Sequence, residues 1–172
     1  MRLVEVRKIS YYAPAKAYKV ILNEINSEQE FPVIVGTMEA QSIALAIEHI
    51  NLPRPMTHDL ICNILNKFDA KIDKIIIKNQ KKGTFFAQII ILNSNNLKIK
   101  LDSRPSDAIA IALRLSAKIY VSDNLMNNIK SHGLLIEDIN DNLVKSTSIQ
   151  TGKRVIKNLE QALDKAIKDE EY

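Results

Sequence analysis

Two short stretches of the 172-residue chain hold most of the side chains that can do chemistry. RPMTHDL (54–60) gathers Arg54, Thr57, His58 and Asp59, and LDSRPSDA (101–108) gathers Asp102, Ser103, Arg104, Ser106 and Asp107. Each contains a proline where a helix is expected to begin, which fixes how the chain enters the first turn. A helix start offers unpaired backbone N–H groups and the positive end of the helix dipole, so it attracts phosphate. An arginine beside it adds a bidentate donor. Carboxylates at the same place can hold a divalent cation or a proton, and a histidine moves protons near neutral pH. Together these parts suit hydrolysis of a phosphodiester, which needs a positioned water and neutralisation of phosphate charge, often by Mg²⁺ or Mn²⁺. The same residues have a plainer reading. Asp and Ser near helix starts are caps worth about 1 kcal/mol each. Arg104 and Asp107, three residues apart, can form a simple ion pair.

The elements that must position these clusters begin with strands. Arg2–Tyr12 alternates apolar and charged residues, Ala17–Leu22 is β-like, and Phe31–Val35 reads as a buried strand, together a meander. A helix follows, with Thr37 as its N-cap, Glu39 in its first turn, and Ala40, Ile43, Ala44, Ile47 and Ile50 on one face. Prolines in Leu52–Pro55 break the chain. A second helix starts at Thr57, again read as the cap, and buries Leu60, Ile61, Ile64, Leu65 and Phe68. Strands are predicted over Ile72–Lys78, Thr84–Leu92 and Leu97–Leu101, the last half-buried through Leu97, Ile99 and Leu101. A third helix runs from Pro105 to about Leu115, capped by Ser103 or Ser106. The strand Ile119–Val121 and a short helix over Asp123–Lys130 end the body. The expected fold class is α+β: a mixed, mainly antiparallel β-sheet packed with three or four short helices. An internal echo lays FPVIVGTMEAQSIALAI (31–47) over LKIKLDSRPSDAIAIAL (97–113), with only Ile43/Ile109, Ala44/Ala110 and Ala46/Ala112 identical. Duplication produces such an echo, and so does any small-residue helix packing on a sheet.

Composition sets outer limits. The apolar fraction is 46% and the charged fraction 26%, values of an ordinary globular chain. No apolar run approaches the ~18 residues of a membrane span. The charged, alternating MRLVEVRKIS start does not read as a secretory signal. A single cysteine, Cys62, excludes an internal disulfide, fits a reducing cytoplasm, and falls within an apolar helix face as a structural thiol. The basic excess lies in residues 1–130, whereas 131–172 is acidic. A mildly basic body is compatible with nucleic acid and equally with a solvated Lys-rich surface. Lys81, Lys82, Lys98 and Lys100 share that ambiguity, and His49 and His132 have no supporting neighbours. The P-loop, GxGxxG, CxxC, HExxH and GxSxG patterns are all absent.

In chain order, FPVIVGTMEAQSIALAI, RPMTHDL, GTFFAQIII (83–91) and LDSRPSDAIAIALR (101–114) resemble the bifunctional nuclease domain family over about residues 1–130. The resemblance implies a mixed α/β domain and nuclease activity on both DNA and RNA. The matched motif positions are Glu39, Arg54, Thr57, His58, Asp59, Asp102, Arg104, Ser106 and Asp107. On these positions Glu39, His58, Asp59, Asp102 and Asp107 are the candidate catalytic residues. His58 is the proton-transfer group, and Asp102 and Asp107 are also candidate ligands for Mg or Mn. Arg54, Thr57, Ser103, Arg104 and Ser106 are the candidate phosphate contacts, with Arg104 as the clamp. LEQALDKAIKDEEY (159–172) resembles the first half of a UVR motif, a helical-hairpin interaction element. The stripe Ile156, Leu159, Leu163 and Ile167 also reads as an ordinary amphipathic helix.

The expected organisation is a nuclease-like domain over 1–130 and a polar extension over 131–172. Two functions follow: a cytoplasmic nuclease of low sequence preference, or a non-catalytic module binding an anionic ligand, nucleic acid or a protein. Expected partners are nucleic acid, a second copy of the chain in a homo-oligomer, and a protein meeting the C-terminal helix. Convergence of Glu39, His58, Asp102 and Asp107 on one cleft favours the enzyme, whereas dispersal onto different faces favours local caps.

Overall fold

A computed structural model describes residues 1–81, 84–93, 95 and 97–132. From residue 133 on, the polar extension and its UVR-like stripe lie outside the described residues. The chain opens with a three-stranded antiparallel meander of β1 (Arg2–Tyr12), β2 (Ala17–Glu24) and β3 (Glu30–Val35). A second meander follows, of β4 (Lys71–Lys81), β5 (Thr84–Leu92) and β6 (Lys98–Ser103). The short β7 (Lys118–Val121) joins the two, antiparallel to β1 and parallel to β4. The result is one seven-stranded sheet in the order β3-β2-β1-β7-β4-β5-β6, mixed and mainly antiparallel.

The two edge strands lead directly into helices. β3 runs into α1 (Thr37–Ile47), and β6 runs into α3 (Pro105–Arg114). α2 (Thr57–Lys67) follows α1, and α4 (Asp123–His132) follows β7. In α3 five successive residues, Ala108 through Ala112, are buried. A helix apolar on all sides belongs inside. Its alanines allow close approach to both the sheet and α1, and the core is continuous from Val4 and Leu22 through Ile75 and Ile89 to Ile109. Removing this central anchor by Ile109→Ala is expected to cost about 2–5 kcal/mol, whereas Phe68→Ser stays within about 0.5 kcal/mol. Thermal melts of the two variants beside the wild type check the contrast.

That contrast corrects the sequence reading of α2. Leu60, Ile64 and Phe68 were expected in the core but are exposed, Phe68 by 77%. α2 packs chiefly on α3, so only part of its apolar circumference is covered: Cys62 is buried and Ile61 half-buried. β6 likewise departs from the half-buried expectation, since Ile99 and Leu101 on this edge strand, and Leu97 just before it, are exposed. Ile50 lies past the end of α1, exposed.

The helix starts also differ from expectation. The N-caps are Gly36, Met56 and Arg104, making Thr37, Thr57 and Pro105 the first helical residues. Aligned on these caps, the two strand–helix halves are offset by 68 positions rather than 66. Glu39, Asp59 and Asp107 then hold the same place, the third residue of a helix. The helix ends are alike too. His49, Asp69 and Ser116 adopt left-handed φ values of 53°, 52° and 52°. The next amide in each case donates back to the carbonyl five residues earlier: Ile50 to Leu45, Ala70 to Leu65, Ala117 to Ala112. These are Schellman endings made without glycine, and they give His49 a local structural role.

Candidate active site

The first turns of α1, α2 and α3 meet around one cleft of about 520 Å³. Its floor is apolar, from Ile72, Ile89, Ile91 and Leu101 of the sheet and Ile61 and Leu65 of α2. The polar side is built by residues that each helix start delivers.

Arg104 is the hub. As the residue capping α3 it is held in extended backbone, and its side chain is 66% exposed. Its Nε donates to Asp107 Oδ2 at 2.7 Å and its Nη2 to Asp107 Oδ1 at 2.9 Å, a bidentate fork. Its Nη1 donates to Glu39 Oε1 at 3.0 Å. Glu39 reaches this position beside a glycine: a Cβ at Gly36 would sit 2.5 Å from Glu39 Oε2. His58 closes the network from α2. Its Nε2 lies 3.3 Å from Asp107 Oδ1, and its Nδ1 lies 2.8 Å from the hydroxyl of Ser42. The chain of contacts therefore runs Glu39–Arg104–Asp107–His58–Ser42, across three helices.

The electrostatics follow. Burial pushes the Asp107 carboxyl up, but hydrogen bonds from Arg104 and His58 outweigh it and hold the group below the ordinary 3.8. The hydrogen bonds it donates to Asp107 hold the Arg104 guanidinium further up. Burial raises the Cys62 thiol, in keeping with a structural rather than nucleophilic cysteine.

The structure brings four of the expected site residues into this network: Glu39, His58, Arg104 and Asp107. Asp102, Ser103 and Thr57 line the same cleft. Asp102 is exposed on β6 and pairs across the sheet with Gln88. The Ser103 hydroxyl donates to the Arg104 carbonyl at 3.0 Å. Three others stand apart. Arg54 is exposed in the loop before α2, and Ser106 is buried; neither lines the cleft. Asp59 turns away to a second centre. Its Oδ1 accepts a hydrogen bond from Arg114 Nε, and its Oδ2 accepts the Met56 backbone N–H at 2.9 Å. Arg114 Nη1 also donates to the carbonyls of Ser42 and Ala110, each at 3.0 Å. Asp59 is thus a structural partner joining α1, α2 and α3. Sequence reasoning missed Ser42 and Arg114. Ser42 sits on the buried face of α1, at a position where sequence alone reads only packing.

Among the described residues no three His, Cys, Asp or Glu side chains group to hold a metal ion. Asp107 has both oxygens on Arg104, so a guanidinium stands where a cation would be sought. The donor set as arranged does not fit a resident Mg²⁺ or Mn²⁺.

Burial also pushes Asp59 up, but Arg114 and the Met56 amide outweigh it, so it too lies below the ordinary value. A carboxylate with a depressed folded value adds stability above its unfolded value, and that contribution is lost as pH falls through the folded value. The melting temperature is therefore expected to hold from neutral pH to about pH 4 and then drop. An Asp59→Asn variant, melted over the same series, is expected to start lower and drop less.

Among the described residues no helix is long and apolar enough to cross a membrane. The family model described as the bifunctional nuclease domain matches residues 20–132. An uncharacterized protein of Mycobacterium tuberculosis is 35% identical over 138 residues, covering 80% of each chain. Bifunctional nuclease 2 of Oryza sativa subsp. japonica is 28% identical over 121 residues, and Bifunctional nuclease 1 of Arabidopsis thaliana 27% over 116. These alignments cover 69% and 66% of this chain but only 37% and 35% of the plant proteins. With the family model spanning the strands and helix starts that build the cleft, the chain belongs to the bifunctional nuclease domain family.

Proposed function

We propose that the cleft hydrolyses phosphodiester bonds of DNA and RNA with low sequence preference. The observation that carries this reading is the exposed Arg104 guanidinium, held in the cleft by Asp107 and Glu39 and backed by His58. A phosphate entering the cleft competes for the guanidinium, whose bidentate face suits two phosphate oxygens. As Arg104 shifts to the phosphate, Asp107 is freed from its fork. The Asp107 carboxylate, held by the Nε2–H of His58, then takes a proton from a water attacking phosphorus, while the bond from phosphorus to the departing oxygen breaks and that oxygen is protonated from solvent. The helix starts around the cleft add amide donors and positive dipole ends. Recognition through phosphate carries no sequence information, which accounts for low preference. The plant relatives named as bifunctional nucleases support the same reaction class.

Nucleic acid is the partner under this reading. Purified protein incubated with single- and double-stranded DNA and RNA, with Mg²⁺, Mn²⁺ or EDTA, is expected to release cleaved products, and His58→Ala to lose most of that activity, about 10²–10⁴-fold. The EDTA arm reads whether a metal brought with the substrate is required. Tight, salt-sensitive binding without turnover would instead establish the binding-module function.

A further inference from the structure

Ser42 lies within FPVIVGTMEAQSIALAI but is not one of the matched motif positions, yet its hydroxyl contacts a ring nitrogen of the site histidine. It is 1% exposed, on the face of α1 that packs inward. Its Oγ lies 2.8 Å from His58 Nδ1, while the opposite nitrogen, Nε2, lies 3.3 Å from Asp107 Oδ1. Its own backbone carbonyl is pinned by Arg114 at 3.0 Å.

Serine, histidine and aspartate in line suggest a nucleophile with its base, but the order here is reversed. In a nucleophilic triad the hydroxyl faces the substrate and the carboxylate is buried behind the ring. In this cleft the carboxylate is at the open end and the hydroxyl at the closed end. Ser42 is too deeply buried to attack anything, so its effect must pass through the ring.

Proton placement shows what that effect is. An ionised carboxylate only accepts, so Nε2 carries a proton toward Asp107. In the neutral ring Nδ1 then has a lone pair, and the Ser42 hydroxyl donates to it. In the cationic ring Nδ1 carries a proton, and the same hydroxyl rotates to accept. A serine hydroxyl serves both states without moving the ring. An alanine serves neither and leaves Nδ1 buried without a partner, a loss that falls on whichever ring orientation makes the contact.

We infer that Ser42 is a positioning residue: it holds the His58 ring in the orientation that keeps Nε2–H on Asp107 in both protonation states. The inference rests on Asp107 and His58 being the working pair of the proposed nuclease, but its primary test does not require cleavage. Nitrogen-15 spectra of the His58 ring in the wild type, taken where the ring is neutral, are expected to show Nε2 protonated and Nδ1 unprotonated. In Ser42→Ala the Nε2–H proton is expected to exchange with solvent roughly fivefold faster or more, the effect of losing one ordinary hydrogen bond. A wild-type ring protonated on Nδ1 overturns the inference. So does an Nε2–H exchange rate unchanged in Ser42→Ala, which would show that Asp107 alone orients the ring. These outcomes are read on the wild-type ring as well as the variant, so a poorly folding variant does not remove the test. In the cleavage assay Ser42→Ala is expected to lower kcat with KM within about twofold, and to add nothing in a His58→Ala background. Absence of cleavage in the wild type would instead count against the nuclease reading and leave the ring measurement standing.

Discussion

Replacing Arg104 with alanine is expected to lower phosphodiester cleavage by about 10²–10³-fold while leaving the fold intact. The magnitude is that of removing one preorganised donor from the charge developing in a transition state. The fold should survive because the side chain is mostly exposed, and exposed ion pairs contribute about 0–1 kcal/mol. Arg104→Lys separates charge from geometry. A lysine keeps the positive charge but loses the fork that meets Asp107 at 2.7 and 2.9 Å. It is expected to recover binding to nucleic acid more fully than turnover. Removing a single phosphate contact should also reduce the salt slope of binding by about one. Cleavage rates and salt-dependent binding for the three proteins distinguish a phosphate clamp from an incidental ion pair.

Arg114→Met is the second large effect, and it falls on stability. Arg114 is only 10% exposed in its side chain and supplies three hydrogen bonds: to Asp59, to the Ser42 carbonyl and to the Ala110 carbonyl. Methionine fills similar volume but donates nothing. It leaves Asp59 as a half-buried carboxylate without its cation, and removes a second donor from two helix carbonyls. Breaking a fully buried pair costs about 3–5 kcal/mol. Asp59 is a third exposed, so screening brings the expected loss to about 2–3 kcal/mol, a fall of roughly 10 °C in melting temperature. Arg114→Lys should recover only part of this, since one ammonium cannot span the same acceptors. Because Arg114 pins the backbone of Ser42, the variant should also loosen the His58 ring.

The elements carrying the site were legible because their chemistry is local. Proline before a helix start, alternation in Lys98–Leu101 and the alanine-rich Pro105–Arg114 each fix structure over a few residues. The same locality explains the misses. Leu60, Ile64 and Phe68 share a helical face, but what covers that face depends on α2 resting on α3 rather than on the sheet. The helix ends were hidden because His49, Asp69 and Ser116 occupy positions where glycine would have been the signal. The echo between the two strand–helix units runs at an offset of 66 on matching isoleucines and alanines and at 68 on matching caps. Set in cap register, Glu39 and Asp107 become equivalent carboxylates that grip one arginine. Asp59, in the third equivalent position, was indistinguishable from them in sequence. Only the position of Arg114, 55 residues away, separates its structural role from theirs. Ser42 left no signal at all, since a serine among alanines and isoleucines in a helix reads as tolerated packing.

Under the proposed function the Arg104–Asp107–His58 network cleaves nucleic acid. The most direct measurement is cleavage of single-stranded DNA and RNA by wild-type protein beside Asp107→Asn, purified identically. Asparagine keeps the shape of the side chain and removes its capacity to take a proton. The expected result is cleavage by the wild type and a loss of about 10²–10⁴-fold in the variant, with the fold retained. Equal cleavage by both proteins, or none by the wild type, would contradict the claim.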